Sequence, residues 1–173
     1  MQWFVIVLLS LAAVDARRAE RLQLEGTHVS VAVPSGFVRH EGLVSDRPSI
    51  TFNLPPDRNG VQTMHPELSL SLAPTNIVEA YVADFEARPG EDWLIKPRTL
   101  EIAHASAWEF ARNGPMTMHL SAGGVIERTV TGHVIILSLG EQRYQCDLST
   151  SPESYSLYAP QLYEFCGSVQ VSD

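Results

Sequence analysis

The side chains best suited to metal, redox or nucleophilic chemistry in this chain are two cysteines and six histidines. The histidines are His28, His40, His65, His104, His119 and His133, and no two share a turn of helix or a short loop, so no local metal-binding pattern forms. His40-Glu41 begins like a zinc-binding H-E-x-x-H helix, but Val44 stands where the second histidine belongs. Asp57-Arg58-Asn59-Gly60 starts like a calcium loop and lacks both the spaced carboxylates and the closing glutamate, so it reads as a turn. There is no G-x-S-x-G nucleophile elbow, no G-x-G-x-x-G and no phosphate loop. His119 and Glu127 make a candidate acid–base pair across a hairpin; on a surface such a pair is worth less than about 1 kcal/mol. Glu91-Asp92 are adjacent carboxylates with no base or nucleophile in register. These residues predict neither an enzyme nor a bound metal or cofactor.

The elements that must position these residues follow from hydrophobic periodicity. His28–Val33, Ser49–Leu54 and Glu67–Leu72 alternate, with Val29, Val31, Val33, then Ile50, Phe52, Leu54, then Leu68, Leu70, Leu72 on one face. Period-two alternation gives each strand one wet face, which suits an antiparallel sheet. Thr75 or Asn76 is placed to cap a helix, Asn76 with Glu79 three residues on, and Ile77, Val78, Tyr81, Val82 and Phe85 recur at helical spacing until Pro89-Gly90. Shorter strands are expected at Trp93–Ile95, Arg98–Ile102 and Ala107–Arg112, with a break at Asn113-Gly114-Pro115. A meander follows. A three-residue loop at Ala122-Gly123-Gly124 sets Leu120 opposite Ile126, Met116 opposite Val130 and His119 opposite Glu127. Thr131-Gly132 is read as a second turn and Gly140-Glu141 as a third, which sets Leu137 opposite Tyr144 and Ile135 opposite Cys146. Pro152 and Pro160 suit first helical turns, and Leu162, Phe165, Cys166 and Val169 form one apolar stripe on a final helix. The expected fold is α+β: an antiparallel sheet of about six to eight strands ending in a meander, with two main helices packed on it.

Cys146 on its strand and Cys166 on its helix therefore meet at one interface, and an even cysteine count without a C-x-x-C motif suggests a disulfide between them. Closing a loop of about twenty residues stabilises by roughly 3 kcal/mol in the chain-entropy model.

The apolar run Trp3–Val14 is too short to cross a bilayer, and Val14-Asp15-Ala16 places small residues where a signal peptidase reads. Met1–Ala16 is read as a cleaved signal peptide, although the cations Arg17, Arg18 and Arg21 follow the apolar run instead of preceding it. Residues 17–173 are then one α+β domain, periplasmic or secreted, with no membrane span left after removal of the leader. Net charge is −8, from 12 Lys+Arg against 20 Asp+Glu, which disfavours a nucleic-acid partner and accommodates a basic protein or a neutral ligand.

The strand and turn V-A-V-P-S-G-F at Val31–Phe37, the following helix, the meander, and a last helix running into C-G-S-V at Cys166–Val169 together resemble the PsbP-like/DcrB-like α+β superfamily. Phe37 stands where that group usually has Trp. The resemblance implies a central antiparallel sheet with helices on it and a largely non-enzymatic role in accessory or binding proteins, with no catalytic residues to carry over.

Taken together, these features predict an exported, non-enzymatic protein acting by protein–protein contact, one concrete form being a periplasmic immunity protein that neutralises a toxin of a secretion system. The loop Pro55–Pro66, with Asp57, Arg58, Asn59, Met64 and His65, is a candidate contact surface. So is the acidic segment Glu79, Asp84, Glu86, Glu91 and Asp92. The alternatives are a module that binds a small ligand or lipid between helix and sheet, and a hydrolase with a dispersed site.

Overall fold

The computed structural model describes residues 20–40, 47–54, 65–90, 92–119 and 124–172. The leader Met1–Ala16, and Asp57, Arg58, Asn59, Met64 and Glu91, lie outside the described residues. The chain runs β1 (Arg21–Gln23), β2 (Val29–Ala32), β3 (Val38–Arg39), β4 (Ser49–Asn53), β5 (Glu67–Leu72), α1 (Ile77–Ala87), β6 (Trp93–Ile102), β7 (Ala105–His119), β8 (Val125–Leu139) and β9 (Gln142–Thr150). A 3₁₀ turn at Pro152–Ser154 leads into α2 (Tyr155–Gly167), and β10 (Gln170–Val171) follows. The fold is α+β. A seven-stranded antiparallel sheet has the order β3-β4-β5-β9-β8-β7-β6, and β1-β2-β10 form a separate three-stranded sheet.

The alternating strands place their apolar phase on the face that α2 covers. Phe52 sits opposite Leu68, and Leu68 opposite Leu148; Ile50 sits opposite Leu70, and Leu70 opposite Cys146. These cross-strand rows meet Leu162, Phe165, Cys166 and Val169, all buried. The Phe52 and Phe165 rings meet edge to face at 5.7 Å. Each fully buried leucine in this layer contributes roughly 2 kcal/mol by leaving water. The other face carries a smaller cluster of Val78, Phe110, Val134 and Ile136 under α1, with the Tyr81 ring stacked on Phe110 at 4.7 Å. Asn76 precedes α1 but makes no side-chain cap hydrogen bond.

Three expectations about the meander are corrected. Asn113-Gly114-Pro115 and Thr131-Gly132 do not interrupt the chain, because each lies inside a 15-residue strand. The two segments face one another, with Asn113 opposite Thr131 and Gly114 opposite Val130. The β6 ladder ends at Trp93 opposite Arg112, so the missing N–H of Pro115 costs no bond on that side. The tip register also differs: His119 lies opposite Val125, and Glu127 opposite Thr117, so the proposed His119–Glu127 pair is not formed. The shift is two residues, which keeps every side chain on its expected face. Register along so long a ladder is set by its buried end, where Ala107 faces Leu137, and not by the turn at its tip. In contrast, Leu137 opposite Tyr144 and Ile135 opposite Cys146 are found as expected, across a turn whose Gly140 has φ +63°. The three short strands expected after α1 are two: β6 runs through Trp93–Ile102 with register irregularities before Ile95 and Arg98.

Pro160 is likewise corrected: it lies inside α2, because the helix starts at Tyr155. The earlier start lets Tyr155 reach the sheet.

Candidate functional site

The helix α2 presents three distinct edges, and each meets different chemistry. Its base is the apolar stripe Leu162, Phe165 and Cys166. One flank carries Tyr155 and Tyr163, and the other carries Gln161, Glu164 and Ser168.

The tyrosine flank covers a buried polar cluster. Glu109 of β7 lies opposite Ile135, and His133 of β8 opposite Ala111, so the two share a face of neighbouring strands on the diagonal. Both side chains are fully buried. The His133 Nε2–H donates to Glu109 Oε1 at 2.9 Å. Arg98 Nε on β6 donates to Glu109 Oε2 at 2.6 Å, and the Tyr163 hydroxyl donates to Glu109 Oε1. The Tyr155 hydroxyl lies 3.0 Å from His133 Nδ1. An ionised carboxylate only accepts, so Nε2 carries the imidazole proton and Nδ1 accepts from Tyr155. The two tyrosine rings flank the imidazole at 5.7 and 5.5 Å.

Burial alone would push the Glu109 carboxyl up, but the hydrogen bonds from Tyr163, Arg98 and His133 outweigh it and hold the group below its ordinary value. Burial pushes His133 down, against the pull of Glu109. The Tyr163 hydroxyl is pushed up by burial and by the carboxylate it serves. The cluster is thus a neutral imidazole on a charged carboxylate, whose partners Arg98, with 60% of its side chain exposed, and the half-buried Tyr155 and Tyr163 reach water. It ties three strands to α2, and Glu109 and His133 present no surface to a substrate.

The other flank of α2 borders a cavity of about 220 Å³ between the helix and the turn after β2, with Val33, Pro34 and Ser35 facing Gln161, Glu164 and Phe165. Ser168 locks one end: its hydroxyl accepts from Ala32 N at 3.1 Å and donates to Phe165 O at 2.7 Å, and its carbonyl accepts from Arg21 Nη2 at 2.6 Å.

The predicted site residues fall as follows. Cys146 and Cys166 are both free and fully buried in the core beneath α2. The Cys146 thiol is pushed well up by burial and by the Cys166 side chain beside it. His65 is exposed at the end of its loop. The acidic segment is in part internally neutralised: Asp84 pairs with both Arg88 and Arg112, and Glu79 with Arg143 at 3.1 Å. Among the described residues no cluster of three or more His, Cys, Asp or Glu side chains is placed to hold a metal. Sequence reading missed Glu109 altogether and left His133 among the scattered histidines. The available signal was phase: both occupy inward positions of alternating strands, where an apolar residue is the rule.

No family model and no curated protein sequence matches the chain. Solved structures do. The Ran-binding protein Mog1p of Saccharomyces cerevisiae superposes with a TM-score of 0.53 over 89% of this chain and 95% of its own, at 15% identity. The cyanobacterial PsbP protein of Synechocystis sp. PCC 6803 gives 0.49 over 88% and 91%, at 11% identity. A Bacteroides thetaiotaomicron protein gives 0.48 at 11% identity, and 90% of this chain spans only 49% of that one. At these identities the likeness is one of fold, and it agrees with the PsbP-like part of the PsbP-like/DcrB-like resemblance expected from the sequence. No helix among the described residues is long and apolar enough to cross a membrane.

Proposed function

We propose that this protein is an exported, non-enzymatic binding protein that acts by protein–protein contact in the periplasm or outside the cell. The observation that carries this reading is the state of Glu109 and His133. They are the described residues best able to do acid–base chemistry, yet both are sealed from water and committed to each other, to Arg98 and to two tyrosines. Sharing a fold with a Ran-binding protein supports a contact role. The concrete form we favour is an immunity protein that neutralises a secreted toxin in the periplasm, which suits the small size, the leader and the net charge of −8. Cleavage after Ala16 and a Cys146–Cys166 disulfide belong to the same reading, as does the loop Pro55–Pro66 as a contact surface.

The test is affinity capture from periplasmic and culture-fluid extract, followed by reconstitution of a stoichiometric complex from the two purified proteins. N-terminal sequencing of the exported protein should begin at Arg17. Turnover of an ester, peptide or phosphodiester that disappears in Glu109→Gln would overturn the non-enzymatic reading.

A further inference from the structure

We propose that the cavity between α2 and the turn Val33–Ser35 is a receptor for a single arginine side chain of the protein partner. The inference rests on the contact role above and gives that role a recognition site.

The walls decide the chemistry. Val33, Pro34 and Phe165 are apolar, and they suit the methylene stem of a long side chain. The polar side chains that remain are the Gln161 amide, the Glu164 carboxylate and the hydroxyls of Ser35 and Ser168. Gln161 Oε1 is buried and has no hydrogen-bond partner among the described residues, a state that costs free energy until a donor arrives. Glu164 lies exposed one helical turn further on, and no hydrogen bond or ion pair of its carboxylate is found among the described residues. Ser168 has no donor left to offer, since its hydroxyl proton is committed to Phe165 O. Arg21 is the neighbouring cation; it is not part of the wall, and its guanidinium is committed to the carbonyls of Ser30 and Ser168. A site of apolar walls with one orphaned amide oxygen, one carboxylate and the Ser35 hydroxyl, which can accept as well as donate, suits an apolar stem ending in several N–H donors and a positive charge. A guanidinium fits this better than an ammonium, because its planar fork can serve the amide oxygen and the carboxylate together. The size fits one side chain and excludes a drug-sized ligand. The net charge of −8 favours the approach of a basic partner.

The test is an NMR titration of the purified exported chain with Nα-acetyl-arginine amide, with the citrulline and norleucine analogues and sodium acetate as controls. The expected result is saturable millimolar binding that shifts the Ser35 amide and the Gln161 side-chain amide. The neutral citrulline analogue should bind at least tenfold more weakly, and Glu164→Gln should lower arginine affinity by about tenfold, as expected for loss of one charge-assisted hydrogen bond. Glu164 is exposed, so that variant leaves the fold intact, and Gln161→Leu offers a second one that should also weaken binding. No saturation, an equal response to norleucine, or preferential binding of acetate each overturns the proposal. If the partner complex forms and Glu164→Gln leaves its affinity unchanged, the arginine receptor fails while the contact role stands. If arginine binds but no partner complex can be reconstituted, the receptor stands and the contact role fails.

Discussion

Replacing Glu109 tests whether the buried cluster is the polar anchor of α2. In Glu109→Ala, the N–H of His133 and the hydroxyl of Tyr163 lose their acceptor together, and Arg98 loses its partner. His133 is fully buried, so its stranded N–H carries the full desolvation penalty of roughly 1–3 kcal/mol. Tyr163 is half-buried and Arg98 is 60% exposed, so both recover part of their loss from water. The total is about 4 kcal/mol, in the range for breaking a buried ion pair. That lowers Tm by roughly 8–16 °C in a chain of this size.

Glu109→Gln behaves differently, because Tyr163 and His133 both use Oε1 while Arg98 uses Oε2. A glutamine that keeps its oxygen toward Arg98 turns its NH₂ toward the other two. The Tyr163 oxygen then accepts one N–H and His133 Nε2 the other, provided the imidazole proton moves to Nδ1 and Tyr155 becomes the acceptor. The network survives in reverse polarity, at a cost of about 1 kcal/mol for losing the charge-assisted bonds. Thermal melts of the two variants, with the His133 tautomer read from its ¹⁵N shifts, separate these outcomes. The reasoning is refuted if Glu109→Gln melts as low as Glu109→Ala, or if His133 keeps its proton on Nε2 in the glutamine variant.

Four further outcomes are expected. Acidification should destabilise the protein in two stages. His133 has a depressed pKa when folded, so its contribution is complete above the ordinary value of 6.5 and is lost as pH falls toward the folded value; Glu109, also depressed, loses its contribution below about 4.5. Urea midpoints between pH 7.5 and 2.5 should show both steps, and the upper one should be missing in His133→Gln. Asp147 behaves in the opposite sense: burial raises it from 3.8 to about 6, so its ionisation works against the fold at neutral pH. Asp147→Asn retains partners for Gln145 and Ser69 and should stabilise by roughly 1–2 kcal/mol at pH 7, with no gain at pH 4, because the side chain keeps part of its surface in water. If Cys146 and Cys166 are joined in the exported protein, non-reducing peptide mass spectrometry finds the pair, and reduction costs about 3 kcal/mol; two alkylated cysteines or an unmoved melting curve count against the bond. The β6–β7 turn holds Ala103 and His104 at φ +49° and +67°, so Ala103→Asn with His104→Gly should stabilise by about 1 kcal/mol in a denaturant melt.

That turn shows why parts of the meander were hard to read. It has the left-handed conformation of a two-residue hairpin but lacks the Asn and Gly that mark one, so the β6–β7 boundary carried no residue signal. Asn113-Gly114-Pro115 and Thr131-Gly132 carried a false signal. Each resembles a break in isolation, and each is held extended by the other across the ladder, where Thr131 Oγ1 donates to Asn113 Oδ1 at 2.6 Å. Gly140 was legible because a tight turn fixes register locally, and it placed Cys146 opposite Ile135 correctly.

What the sequence determined by itself was whatever depends on periodicity. The inward phases of β2, β4, β5 and β9, the stripe Leu162–Phe165–Cys166 on α2, and the places of the two helices all follow from which residues avoid water at spacings of 2 and 3.6. Tertiary structure alone decided the meeting of Arg98, Glu109, His133, Tyr155 and Tyr163, and the pairing of Gln161 and Glu164 with the turn after β2. Those groups come from distant segments, and their encounter depends on strand register and helix rotation, which the burial of many other side chains sets. A polar residue at an inward position announces that it needs a partner, but only the packed chain determines which partner it meets.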